Sequence, residues 1–550
     1  MKKIKKYISL FFIAVLIISC ETTELEILQS PNFLEPSQAS PDLLLNGTQR
    51  NLAAFFESVT EEGMEVTRIL HMFGPDYFTA YGPGTFNGTW SNAYASIMSD
   101  IDNILLITEG RAGFEIHRGM AKAMEAYVII TLVDYFGEIP YDQSNLGAAN
   151  VNPEVQSGAE IYAAAEQLLI EAKIDLNINP DSFNPTDLYF PSNDQLAPDV
   201  SKWTTLCNTL LLKLYLQTSL VDPAAGAKIN GVLAEGVIDN ASEDFQFLYS
   251  STDQNPDSRH PIFSRNYDQS PEDYMSNSYM DLLLNDKASP DPRLRYYFYR
   301  QTSDVASDAT VAELPCLTQT RPDNYDADDV FCFVAGTGYW GRDHGNSANI
   351  PPDDALRSTW GLYPVGGLFD DDSFNTVNDR GLGGRGAGIS PIMLSSYSKF
   401  MQAEAALTLG TTGDPMQLML EGIQDSFNKV IGFIPSVQDQ ALVPTAQEQV
   451  DYLQEVESRY MSAASDDERL DIIITEYFIA LYGNGVEAYN TYKRTGKPND
   501  LQPTLTDTPG TFIRSFLYPA NAIQNNANIS QKATVATPVF WDTNSDGFVD

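Results

Sequence analysis

Four histidines, His71, His117, His260 and His344, are the whole imidazole supply of this 550-residue chain, and they stand far apart. Hydrolytic zinc helices need two histidines one turn apart around a glutamate, and acyl-transfer serines sit on a Gly-x-Ser-x-Gly turn; neither pattern occurs. The stretch "GLGGRG" at 381–386 fits a phosphate-cradling glycine pattern. The preceding "FNTVNDR" is too polar for the strand that a cradle requires, so the glycines read as a flexible loop entering a helix at 390. Glycoside hydrolysis needs two carboxylates about 5 to 9 Å apart. With 74 acidic residues such a pair is open to the chain, and no motif nominates one.

Recognition without catalysis is the chemistry that remains. Flat rings offer area to C–H-rich faces at small entropy cost, and Asp, Asn and Arg read hydroxyls at the rim. Trp90 and Trp203 fall in apolar helical runs and read as core. Trp340 and Trp360 lie instead in "GTGYWGRDHGN" and "STWGLYPVGG", where glycine and proline crowd. They are the leading ligand platforms, with Tyr339 beside them and Arg342 and Asp343 as polar partners; the alternative is that each ring caps the local core and the two charges form a solvated pair. If either tryptophan is a platform, its exchange for Ala weakens sugar affinity more than tenfold, about 1.4 kcal/mol. The end of the chain, "DTNSDGFVD", raises a metal question: Asp542, Asn544, Asp546 and Asp550 stand at ligand positions of a calcium loop, with Gly547 for its turn. The bidentate acid at the last position is missing, and a frayed acidic terminus is the other reading. No other cofactor is called for.

The formal net charge is −41, spread along the chain. Nucleic-acid binding needs clustered Lys and Arg to release counterions, so that class is excluded. Aromatic content of 11% excludes disorder from low hydrophobicity. Of the four cysteines, Cys207 lies in the apolar run "LCNTLLLKLYLQ" and reads as a buried helix residue, while Cys316 and Cys332 flank an Asp-rich loop that a disulfide would close.

The first residues explain the fourth cysteine. Lys2, Lys3, Lys5 and Lys6 precede a nearly unbroken apolar run from Tyr7 to Ile18, the layout of an export signal and too short to span a bilayer. Ser19 then leads directly into Cys20, which resembles a bacterial lipobox. The resemblance implies cleavage before Cys20 and acylation of its sulfur and amine, a lipid anchor strengthened by every buried methylene. Glu21, Glu24 and Glu26 follow, resembling the acidic tether of Bacteroidetes surface lipoproteins. No later stretch is apolar enough to cross a membrane.

Helical spacing of apolar residues positions the rest. It predicts helices over 46–62, 90–108, 115–136, 157–176, 201–220 and 223–234, and again over 390–409, 414–431, 446–462, 466–482 and 485–493. Between them, 241–389 is loop-rich. The organisation expected is a leader at 1–19, a tether at 20–45, a first scaffold part at 46–240, a ligand-binding insert at 241–389, a second scaffold part at 390–496 and a closing segment at 497–550. Small residues in "GMAKAMEAYVII" and "SKFMQAEAALTLG" allow close helix approach, so the fold class is mainly α, a tetratricopeptide-like scaffold of helical pairs with the insert as its ligand face. Gly137 should end its helix in a left-handed turn, and Arg293 should pair a carboxylate in the turn "ASPDPRL".

"YVIITLVDYFGEIPY" at 127–141 resembles the Asp-Tyr-Phe-Gly-x-Ile-Pro-Tyr segment of the SusD/RagB family of nutrient-binding outer-membrane lipoproteins. "WSNAYASIMSDIDNILL", "ASPDPRLRYYF", "SPIMLSSYSKFMQAEAAL", "IIITEYFIALYGNGVEAYNTYKRTGKP" and "RSFLYPANAIQNNANI" resemble further family segments, in order. The resemblance implies a protein facing the cell exterior that captures an oligosaccharide and closes over a SusC-like TonB-dependent transporter. Its alternatives are peptide capture, as the RagB side suggests, and a surface glycoside hydrolase. It also implies binding residues in the loop "GPDYFTAYGPG", Tyr77 and Tyr81, and packs Trp541 in the core.

Overall fold

The computed structural model describes residues 39–550 except 75, 179–181, 191–196, 268–273, 304–319, 328, 333–337, 348–355, 365–369, 376–382, 434–440, 507, 546 and 550. Cys20, Cys316, Asp546 and Asp550 lie outside the described residues.

The periodic stretches form helices. α1 (Pro41–Val66) starts on a proline and buries Leu45, Leu52, Phe55, Phe56 and Val59. A single turn, α2 (Tyr77–Ala80), leads to α3, which runs through Asn87–Ser91, a π-helical Asn92–Met98 and Ser99–Thr108. α4 (Glu115–Phe136) is apolar almost all round and lies at the centre of the molecule. Gly137 stops it with φ 83° and ψ −89°, the positive φ that glycine allows but not the left-handed helical turn expected. β1 (Ile139–Pro140) and β2 (Val155–Gln156) pair before α5 (Gly158–Asn177), whose start carries a reciprocal cap between Ser157 and Glu160. α6 (Val200–Gln217) and α7 (Ala225–Glu235) complete the first part, with Cys207 buried and reduced in α6.

Short elements follow: β3 (Phe245–Leu248), α8 (Pro261–Tyr267), α9 (Asn277–Asn285), α10 (Leu294–Tyr297), β4 (Phe298–Tyr299) and β5 (Thr359–Trp360). Their order matches the loss of long periodicity there. β6 (Ile389–Met393) then pairs with β3, so the start of the predicted 390 helix is a strand. Helices resume as α11 (Ser395–Leu409), α12 (Pro415–Gly432), α13 (Ala446–Ser462), α14 (Asp466–Ala480) and α15 (Gly485–Thr495), with a last turn at α16 (Ala520–Asn525).

The helices pack in antiparallel pairs, α4 with α5, α6 with α7, and α11 with α12, giving the tetratricopeptide-like architecture. α15 crosses α1 where a Cβ on Gly485 would stand 1.8 Å from the Thr60 carbonyl oxygen, so only glycine permits the approach. The Gly485 N–H donates to Thr60 Oγ1 at 2.6 Å across that crossing. Buried polar groups tie the halves together: the Asp134 carboxylate accepts from Tyr162, Asn490 and Trp541, placing Trp541 in the core. Arg293 clamps Asp291 through two hydrogen bonds of 2.9 and 2.6 Å. Among the described residues, no helix is long and apolar enough to cross a membrane.

Candidate functional site

The segment 339–346 threads the centre of the insert. The Arg342 N–H donates to the Met275 carbonyl at 2.9 Å, and the Asn277 N–H returns to the Arg342 carbonyl at 3.0 Å. Between them Gly341 is obligatory, because a Cβ there would lie 1.9 Å from the Met275 oxygen. The Arg342 guanidinium sits over the Phe73 and Tyr274 rings at 5.2 and 5.0 Å. Asp343 accepts from the Asn277 amide (2.9 Å), the Cys332 N–H (2.8 Å) and the Gln502 amide (3.2 Å). Burial raises its carboxyl above the usual range against the pull of those donors. Cys332 is disulfide-bonded.

This geometry corrects the expected ligand platforms. Trp340 is 1% exposed. Its indole N–H donates to the Leu356 carbonyl at 2.9 Å, and Arg357 stacks on its ring at 4.4 Å, so no face is open to a ligand. Tyr339 is buried under Arg300 at 4.6 Å. Arg342 and Asp343 are buried in separate bonds and are not a solvated pair. Tyr77 is buried as well, its hydroxyl accepting from Arg68 at 2.6 Å, and Tyr81 donates to Glu65 at 2.6 Å. Tyr339, Trp340, Arg342 and Asp343 form a buried keystone of the insert, which Tyr77 approaches through the His344 ring at 6.1 Å. Trp360 pairs its backbone with Phe298 in β4 and β5, and its side chain is outside the described residues.

Of the four residues of the calcium reading, Asp546 and Asp550 lie outside the described residues, and the other two are engaged by protein groups. Both Asp542 oxygens accept from Arg514, at 2.8 and 2.6 Å, and the Asn544 amide donates to the carbonyls of Lys493 and Arg494. Phe548 packs on Phe512 and Tyr492 near the end of the chain. Among the described residues no group of three His, Cys, Asp or Glu is set to hold a metal.

An open site lies elsewhere. A groove of about 300 Å³ runs between α1 and the start of α3, lined by Glu57, Ser58, Glu61, Glu62, Thr85, Thr89 and Asn92 among others. Glu57, Glu61 and Glu65 recur every fourth residue, a like-charge row that a helix tolerates only with partners. The insert and the α2 loop supply them: Arg265 meets Glu61 at 2.6 Å, His260 approaches Glu57 at 3.4 Å, and Tyr81 takes Glu65. Glu62 lines the groove and is half-buried, with Oε2 fully buried and without a hydrogen-bond partner. Burial, then the Glu61 charge, push its carboxyl up to about 8, so it is a neutral acid at pH 7. The same α2 turn that hides Tyr77 leaves Phe78 49% exposed. The acidic row was legible as spacing in "ESVTEEGMEV", but its partners come from about 20 and 200 residues away in sequence and carry no local signal.

A family model described as starch-binding and associating with the outer membrane, SusD-like, matches residues 33–313, just over half of the chain. A second, described as the Susd and RagB outer membrane lipoprotein, matches residues 390–542. No curated protein matches the chain in sequence. Among solved structures, a chitin-binding protein is similar at 20% identity and TM-score 0.66, covering 92% of this chain and 100% of its own. A SusD homologue from Bacteroides fragilis is similar at 18% identity and TM-score 0.67, with 92% and 100% covered. A chitin-binding SusD homologue from Flavobacterium johnsoniae is similar at 18% identity and TM-score 0.62, with 92% and 99% covered. Those identities carry the fold alone; with matches spanning both helical parts, the chain belongs to the SusD/RagB family of outer membrane lipoproteins.

Proposed function

We propose that this chain captures an oligosaccharide without cleaving it, anchored through acylated Cys20 on the outer membrane with its scaffold facing the exterior, and hands the sugar to a SusC-like TonB-dependent transporter. Family membership across both helical parts carries the reading. Two similar structures described as chitin-binding favour a glycan over a peptide. The groove between α1 and α3 supports it chemically: hydroxyls and an amide offer donors and acceptors to sugar hydroxyls. Glu61 and Glu57 are already engaged by Arg265 and His260, which favours binding over acid–base cleavage. Phe78 is the exposed ring of the neighbouring turn and the proposed stacking surface; Trp360 is the second.

Calorimetric titration of the mature protein with neutral hexasaccharides, including maltohexaose and N-acetylchitohexaose, tests this. Saturable binding of at least one, weakened more than tenfold (about 1.4 kcal/mol) by Phe78→Ala or Trp360→Ala, is expected. Binding of peptides with no response to any glycan would overturn it.

A further inference from the structure

α5 carries apolar residues on two opposite faces. Ala165, Leu169, Ala172 and Leu176 are buried against its neighbours. On the solvent side Ile170, Ile174 and, just past the helix end, Ile178 stand one turn apart and are 40, 55 and 57% exposed. A surface helix buries one apolar stripe, so a second one in water marks a contact surface. The stripe runs toward the end of the α4–α5 pair where Arg118 meets Asp175 at 3.4 Å. Phe183 stands at the same end, 59% exposed, its ring 5.1 Å from that of Phe114.

α1 starts at this end too. Asp42 bonds the His117 ring at 2.9 Å, and that ring lies 5.2 Å from Phe114. Leu43 beside Asp42 is 72% exposed. The chain leading into α1 therefore arrives next to the exposed apolar residues, and it is not a plain polar spacer. Its stretch "LEILQSPNFLEP" at 25–36 holds Leu25, Ile27, Leu28, Phe33 and Leu34, and the SusD-like family match begins at residue 33. At no more than about 3.6 Å per residue, residue 34 reaches about 25 Å from Pro41 and residue 27 about 50 Å, whereas the isoleucine stripe is only about 12 Å long. Charge agrees with length. Glu26 and Glu35 flank the apolar residues of the tether. Exposed Arg111, over the Phe114 ring at 4.4 Å, donates to the Ile107 carbonyl and pairs with no carboxylate among the described residues.

We propose that residues 25–35 of this chain fold back onto the outer face of α5, Phe33 and Leu34 against Phe183 and Ile178, Ile27 and Leu28 along Ile174 and Ile170, and Glu35 toward Arg111. Docking itself needs neither acylation nor sugar. With Cys20 acylated, as proposed above, it leaves a short link to the anchor and holds the α4–α5 end nearest the membrane.

Distance measurement between two spin labels on the mature chain from residue 20, carrying Cys20→Ser, tests this. The labels sit on Gln29→Cys in the tether and Asn177→Cys at the exposed end of α5; Cys207 is buried. One narrow distance distribution is expected, and its width at least doubles when Ile174→Asp and Phe183→Asp are added, both exposed positions that the fold tolerates. The readout involves no sugar, so it stands or falls apart from glycan capture. A broad distribution before the Asp exchanges, a narrow one that survives them, or sedimentation as a dimer that the same exchanges dissolve overturns the proposal.

Discussion

Trp340 shows how a glycine-rich context misleads at the scale of one residue. The flanking glycines suggest a loop ring held out to solvent, yet Gly341 is there to let the backbone pass the Met275 carbonyl, and the ring fills the space beneath Arg357. Trp340→Ala therefore acts on stability, costing about 3–5 kcal/mol in chemical denaturation, while any glycan affinity of the folded fraction is retained. Glu62 makes a pH-dependent contribution. Its folded carboxyl holds a proton up to about 8, whereas the unfolded carboxyl releases it near 4.3 (roughly). The folded state thus binds more protons between these values, and its contribution is present at low pH and lost as pH rises toward 8. Glu62→Gln, which keeps the shape without the charge, gains stability over the wild type progressively from pH 5 to pH 8 (about); parallel unfolding curves at every pH would contradict this.

At the scale of elements, Gly485 at the crossing of α1 and α15 has no room for a side chain, since both the Thr60 carbonyl and the Met64 N–H would clash with a Cβ. Gly485→Ala forces the helices apart and costs more than about 2 kcal/mol, seen as a lowered unfolding midpoint; a midpoint equal to that of the wild type would mean that the crossing is looser than described. Helices were legible because α4, α5, α12 and α13 carry dense apolar spacing and clear stops or caps, and their bounds fall within about two residues of those read from the sequence. β6 was not: "ISPIM" is mostly apolar and runs on into a helix, and only pairing with β3, more than 140 residues earlier, makes it a strand. The keystone was half legible. Its residues were found as a cluster, but their burial depends on Met275, Asn277 and Gln502 from distant segments. Phe78 carries no sequence signal of its own, because which ring of this turn faces solvent is set by what α1 and the C-terminal segment bury.

For the whole molecule, an acidic helical scaffold holds a polar groove whose carboxylates are partnered or protonated, beside an exposed phenylalanine. Such a surface suits a neutral solute with many hydroxyls, and family membership puts it at the outer membrane. Retention of the sugar unaltered separates capture from hydrolysis most directly. The mature lipoprotein is incubated with the tightest-binding neutral hexasaccharide, dialysed, denatured, and the released sugar weighed by mass spectrometry. Recovery of the intact hexasaccharide in stoichiometric amount is the predicted result; shortened fragments, or no sugar retained, would contradict it.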